Sequence, residues 1–177
     1  NSIYSTNNMV FCAVGKAEWK DVLKEAQKFL RINKKINEIK IMTKNGNLIE
    51  KRKGIDQAHE VLGFHMPKLN DKNRYAAEIF DSILGGGMSS RLFQRIREEM
   101  GAAYYVGVGA SLYSDHGEVS MSAGIDHKKI RDVIEAASRE FARLKDEKVS
   151  EEELKRAKDH LIGNLYLSLE TSDQLGY

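Results

Sequence analysis

Three consecutive glycines, Gly85-Gly86-Gly87, break an otherwise helical stretch and constrain this chain more than any other feature. Before them Tyr75, Ile79 and Ile83 recur every four residues, which predicts an amphipathic helix from about Asp71 to Leu84. After them Met88, Leu92 and Ile96 repeat at the same spacing and predict a second, shorter helix that stops at Gly101. A glycine triplet cannot continue a helix. It does accept left-handed backbone angles, so at least one of the three is expected at positive φ, turning one helix sharply against the next. Beyond Gly101 the pattern becomes β-like. Ala103 to Leu112 reads as a strand, followed by the turn Ser114-Asp115-His116-Gly117. Its partner has Val119, Met121, Ala123 and Ile125 alternating with Glu118, Ser120, Ser122 and Gly124, a strand with one wet face.

The remaining segments complete an α+β outline. Asn8 to Val14 is a short apolar run, predicting a strand buried on both faces, and Cys12 within it is expected to be buried. Val22, Leu23, Ala26, Phe29 and Leu30 predict a helix beginning near Ala17. Asn45-Gly46 is a hairpin signal between Ile39–Met42 and Leu48–Glu50, and Gln57 to His65 reads as a strand closed by Pro67. Two helices follow the hairpin. One is marked by Ile130, Val133, Ile134, Ala137, Phe141 and Leu144; the other by Leu154, Ala157, Leu161 and Leu165, with Ser150 and Glu153 as a capping box at its start. Segregated strands and helices predict a mostly antiparallel sheet with helices packed on one face. With 177 residues, one domain with a sizeable core is expected over 1–177.

Composition narrows the function. A net charge of +2 argues against a dedicated nucleic-acid binder. The basic residues Arg31, Lys34, Lys35, Lys40, Lys44, Lys51, Arg52 and Lys53 cluster without interleaved aromatics and read as a solvated loop and hairpin. A single cysteine excludes an internal disulfide and a cysteine metal cage. No apolar stretch approaches the length of a membrane span, and no signal-peptide pattern is expected within these residues. Localisation is left open, with the cytoplasm favoured. The glycine run lacks the lysine–serine/threonine ending of a phosphate loop and follows a helix, which argues against nucleotide binding.

The block from Leu84 to Phe93, with Arg97 and Gly101-Ala102-Ala103-Tyr104, closely resembles a segment of the pitrilysin/insulinase family of zinc peptidases, which includes the mitochondrial processing peptidase subunits. The resemblance is collinear over nearly the whole chain. Tyr4-Ser5-Thr6-Asn7-Asn8-Met9-Val10 with Val14-Gly15 is similar to the opening of the family's second homologous half. Gln57-Ala58-His59 through Gly63-Phe64 is similar to its substrate-side strand. Val149-Ser150-Glu151-Glu152-Glu153-Leu154 with Arg156-Ala157-Lys158 is similar to the start of its late helix. The resemblance implies the second, non-zinc half of a two-domain zinc peptidase, an α+β half of the processing-peptidase type. Asn1 and Tyr177 read as cut ends of a longer chain.

The family's zinc motif is His-x-x-Glu-His on a helix, which puts both imidazoles on one face with the glutamate beside the attacking water. The histidines here are His59, His65, His116, His127 and His160, and none pairs in that way. His59 and His65 share a strand face but lie about 20 Å apart at 3.3 Å per residue, too far for one ion. They read as structural residues, and the other three as surface residues. The fragment is therefore expected to hold no zinc and to be inactive alone, with zinc in the parent enzyme or in a partner subunit.

What the resemblance implies instead is an arginine and a tyrosine, seven positions apart, at Arg97 and Tyr104. Arg97 would bind substrate, and Tyr104 would act on the transition state while the two halves close over an extended peptide. Tyr105 points to the opposite face of a regular strand, so a one-residue slip in register would exchange the two tyrosines. The implied partners are a peptide substrate, a zinc-binding half on the same chain or a partner subunit, and in one reading a second copy in a dimer. The alternative is a non-catalytic peptide-binding or structural subunit of the same fold. A third reading is a stand-alone domain whose basic loop takes an anionic partner.

Overall fold

The computed structural model describes residues 9–29 and 45–176. They fall in two compact units. The larger, residues 47–164, holds strand β1 (Ala58–Met66), helix α2 (Arg74–Gly85), a π-helix (Phe93–Glu99), strands β2 (Ala103–Leu112) and β3 (Gly117–Ile125), helix α3 (Ile130–Asp146) and most of helix α4 (Glu151–Ser168). The smaller holds helix α1 (Trp19–Phe29) and the end of α4.

The sheet has the order β1-β3-β2, antiparallel throughout. Period-two alternation places Val119, Met121, Ala123 and Ile125 of the central strand on one face, all fully buried. Leu84, Leu92, Ile96, Val133 and Ala137 close over that face, so the core lies between the sheet and the helices. This is the expected α+β arrangement, with β2 and β3 at almost the predicted bounds.

Side-chain polar groups finish the elements. Ser150 Oγ accepts from the backbone N–H of Glu153 at 3.2 Å, half of the expected capping box. The other half is not made, because the Glu153 carboxylate forms a two-pronged bond with Arg91 at 2.7 and 2.8 Å. Arg91 is 14% exposed and also approaches Glu140 of α3 at 3.8 Å, joining the chain after the glycines to two helices.

The glycine triplet turns the chain as expected, with Gly87 at φ +89°. The second helix differs from the expected form. It begins only at Arg91, and Met88 is 73% exposed, while Leu92 and Ile96 are buried. It then widens into π-turns; Met100 donates its backbone N–H to Arg95 O, five residues back, at 3.2 Å. Leu92 and Ile96 still enter the core, and Met100 packs against the same cluster.

Two predicted strands do not form. Residues 9–14 have no regular structure, Val10 is 97% exposed, and Cys12 is exposed. A strand buried on both faces needs neighbours on both sides, and an apolar run records that need without supplying the neighbours. Leu48–Glu50 is likewise exposed and irregular, with Glu50 paired to nearby Arg52 at 2.8 Å. Ile39–Met42, Leu30, and the basic residues Arg31, Lys34, Lys35, Lys40 and Lys44 lie outside the described residues.

Candidate functional site

The sheet face opposite the core carries mostly small side chains in its middle rows. Across β1, β3 and β2 the rows read Val61–Ser122–Gly107, then Gly63–Ser120–Gly109, then His65–Glu118–Ser111. A Cβ added at Gly63, Gly107 or Gly109 would meet nothing within 4 Å, so this face is a shallow platform. At its end beside the helix–strand turn, the row is His59–Gly124–Tyr105.

Tyr104 stands at that end because the ladder is irregular there. Ala103 pairs with Ile125 and Tyr105 with Gly124, which leaves Tyr104 as one extra residue, a β-bulge. Bulges re-aim side chains and recur beside active sites. Tyr104 is 63% exposed and its hydroxyl makes no hydrogen bond among the described residues. Tyr105 is 42% exposed, but its hydroxyl is engaged, 3.1 Å from His59 Nδ1. Simple alternation, which placed the two tyrosines on opposite faces, does not hold through the bulge.

Arg97 lies on the π-helix, exposed, with its guanidinium carbon 5.0 Å from the centre of the Phe93 ring. That contact steadies the side chain while leaving its donors unused, and no carboxylate pairs with it among the described residues. Its neighbour Arg95 is paired with Glu99 at 2.6 Å. No hydrogen bond joins Arg97 to Tyr104. What links them is the turn at Gly101, φ +52°. Lys129 fastens that turn, its Nζ donating to the carbonyls of Met100 and Gly101, both at 3.0 Å. The Ala102 N–H also reaches Ile96 O at 3.0 Å. Lys129 is a part of the site that sequence reasoning did not find.

For zinc, the residues present do not fit. Among the described residues no three His, Cys, Asp or Glu side chains are grouped to hold one ion. His59 and His65 pair in different rows, with Gly124 and Glu118, at opposite ends of β1. His116 is bound to Asp115 at 2.8 Å, His127 reaches Ile55 O at 3.2 Å, and His160 contacts Asn164 at 3.0 Å. Two carboxyls shifted by burial lie elsewhere. Burial pushes Glu60 and Asp81 above the usual carboxylate range, with the backbone N–H of Ala110 partly opposing the effect at Asp81. Glu60 pairs with buried Ala123 on the core side, and neither of its oxygens has a partner among the described residues.

Residues 1–161 match the family model described as the peptidase M16 inactive domain. The chain is 34% identical over 171 residues to an uncharacterized zinc protease of Rickettsia felis, covering 94% of this chain and 41% of that protein. It is 34% identical over 125 residues to another from Bacillus subtilis, covering 71% of this chain and 31% of that one. The chain thus spans well under half the length of the curated relatives it matches. Among solved structures, a protease from Helicobacter pylori superposes with a TM-score of 0.71 at 20% identity, over 92% of this chain and 42% of that one. A peptidase M16 inactive domain from Pseudomonas fluorescens superposes with a TM-score of 0.60 at 22% identity, over 67% of this chain and 28% of that one. These structures share the α+β fold.

Proposed function

Since the chain belongs to the M16 zinc-protease family as its inactive domain, we propose that it is the non-zinc half of a metalloendopeptidase, closing over an extended peptide and contributing Arg97 and Tyr104 to a site completed elsewhere. The hydrolytic metal, suggested by the relatives' names, would belong to the other half, on the same polypeptide or on a partner subunit.

One observation carries this reading: two exposed side chains with unused donors, one on a π-turn and one on a β-bulge, flank a turn fastened by Lys129. Both irregularities are features that functional sites use. Attack of water on a peptide carbonyl builds negative charge on its oxygen. A phenolic O–H aimed at that oxygen gains strength as the charge develops, so Tyr104 would favour the transition state over the bound substrate. Arg97 offers a planar set of donors suited to backbone carbonyls, contacts made before the chemical step. The glycine- and serine-lined platform leaves room beside them for an extended chain.

The chain purified without an affinity tag should contain no stoichiometric zinc by elemental analysis and should not cleave a quenched fluorescent peptide. The full-length parent, together with the partner subunit if the zinc half lies there, should bind zinc and cleave the peptide. Zinc bound through His59 and His65, or cleavage by this chain alone, would overturn the proposal. A full-length protein that binds peptides and returns them intact would instead support the non-catalytic reading.

A further inference from the structure

Tyr105 and His59 belong to the two edge strands, yet they are hydrogen-bonded at 3.1 Å across β3. The β3 residue in their row is Gly124. A Cβ on Gly124 would lie 2.5 Å from Tyr105 Cε1, 2.9 Å from its Cδ1 and 2.9 Å from Gln57 Oε1. The phenol ring therefore occupies the space a side chain on the central strand would fill. The ring centres of His59 and Tyr105 are 6.2 Å apart and tilted by 32°, so the polar contact, rather than stacking, joins them. Three strands are tied at this one end of the open face.

A bulge has a weakness that this tie addresses. The extra residue has no ladder partner, so it can migrate along the strand, and one step would exchange the outward positions of Tyr104 and Tyr105. A ring seated in the Gly124 notch and held by His59 resists that step. We propose that His59, Gly124 and Tyr105 form a strut that holds the bulge in register and so keeps Tyr104 aimed at the substrate. They are positioning residues, and this inference rests on the role proposed above for Tyr104.

The test is a kinetic cycle in the full-length protein, with backbone exchange as a second measurement. Tyr105→Phe and His59→Leu should each lower kcat about three- to tenfold, the worth of one hydrogen bond, with KM unchanged. His59→Asn, whose amide falls near the place of Nδ1, should recover most of the loss. In a Tyr104→Phe background neither change should cost more, because both act through Tyr104. An equal loss in that background, or a wild-type kcat for Tyr105→Phe where Tyr104→Phe lowers kcat, overturns the strut. Amide exchange separates this from a failure of the Tyr104 reading. Removing the Tyr105 hydroxyl should speed exchange at residues 103–106 by a similar factor and leave residues 119–123 unchanged. Should Tyr104→Phe prove silent in kinetics while exchange rises, the strut stands and the catalytic role falls; unchanged exchange removes the strut.

Discussion

Gly85 and Gly87 should both resist alanine, for different reasons that can be told apart. A Cβ at Gly85 would lie 2.6 Å from Val108 Cγ2, 2.7 Å from the Val108 backbone nitrogen, and closer still to Val108 Cβ. Ordinary carbon contacts are about 3.5–4.0 Å, so α2 would have to retreat from β2 by roughly 1 Å. Overpacking of this kind costs about 1–3 kcal/mol, and alanine's stiffer unfolded chain returns about 0.4–1. The net expectation for Gly85→Ala is about 1.5 kcal/mol, or a fall in Tm of about 3–6 °C for a chain of this size. At Gly87 the neighbour is only the flexible His160 ring, Cε1 at 3.3 Å, and the cost comes from φ +89°. Left-handed backbone costs an L-residue about 1–2 kcal/mol, leaving about 1 net. Asparagine tolerates that region, so Gly87→Asn should be milder than Gly87→Ala. Val108→Ala should recover part of the Gly85→Ala loss and none of the Gly87→Ala loss. Chemical denaturation of the set decides it. A neutral Gly85→Ala, or asparagine no better than alanine at 87, would refute the reasoning.

Two further outcomes follow from buried charge. Because burial raises the Glu60 carboxyl, its ionisation destabilises the fold, and the stability it permits is lost as pH rises through its raised folded value. The melting temperature should therefore climb as pH falls from neutral toward the usual glutamate value of about 4.3. Glu60→Gln should flatten that slope; an unchanged slope would place the effect elsewhere, with Asp81, also raised, as the next group to replace. Arg91→Met should cost about 2–4 kcal/mol, because it strands Glu153 and leaves Glu140 to Arg143 alone. Arg91→Lys should recover only part, having lost the two-pronged geometry.

Local pattern carried much of this fold into the sequence. The alternation of Val119, Met121, Ala123 and Ile125 specifies a strand face by itself, and Gly85-Gly86-Gly87 can only break a helix. Ser150 announced the start of α4, but the path of the Glu153 side chain was hidden, since Arg91 competes for it from 62 residues away. The apolar residues 9–14 misled because periodicity says what a segment needs and not what surrounds it. The candidate site remains a proposal, and only its residues were suggested by the sequence. Arg97 and Tyr104 were proposed by resemblance, while the π-turn and the bulge on which they lie depend on a choice between hydrogen-bond registers that leaves no residue signature. Lys129 gave no signal among its basic neighbours. His59 read as a structural residue, and its bond to Tyr105 exists only because β3 brings Gly124 between them.

The central claim is that this half of the molecule acts in the chemical step through Tyr104. Steady-state kinetics of Tyr104→Phe in the full-length protein, on a peptide the wild type cleaves and with circular dichroism to confirm folding, tests it most directly. Losing a donor that matters chiefly when charge has formed on the carbonyl oxygen should lower kcat by about 10²-fold and leave KM nearly unchanged. Arg97→Ala, measured alongside, should raise KM as well. A Tyr104→Phe protein with wild-type kcat, or one whose entire loss lies in KM, would contradict the account.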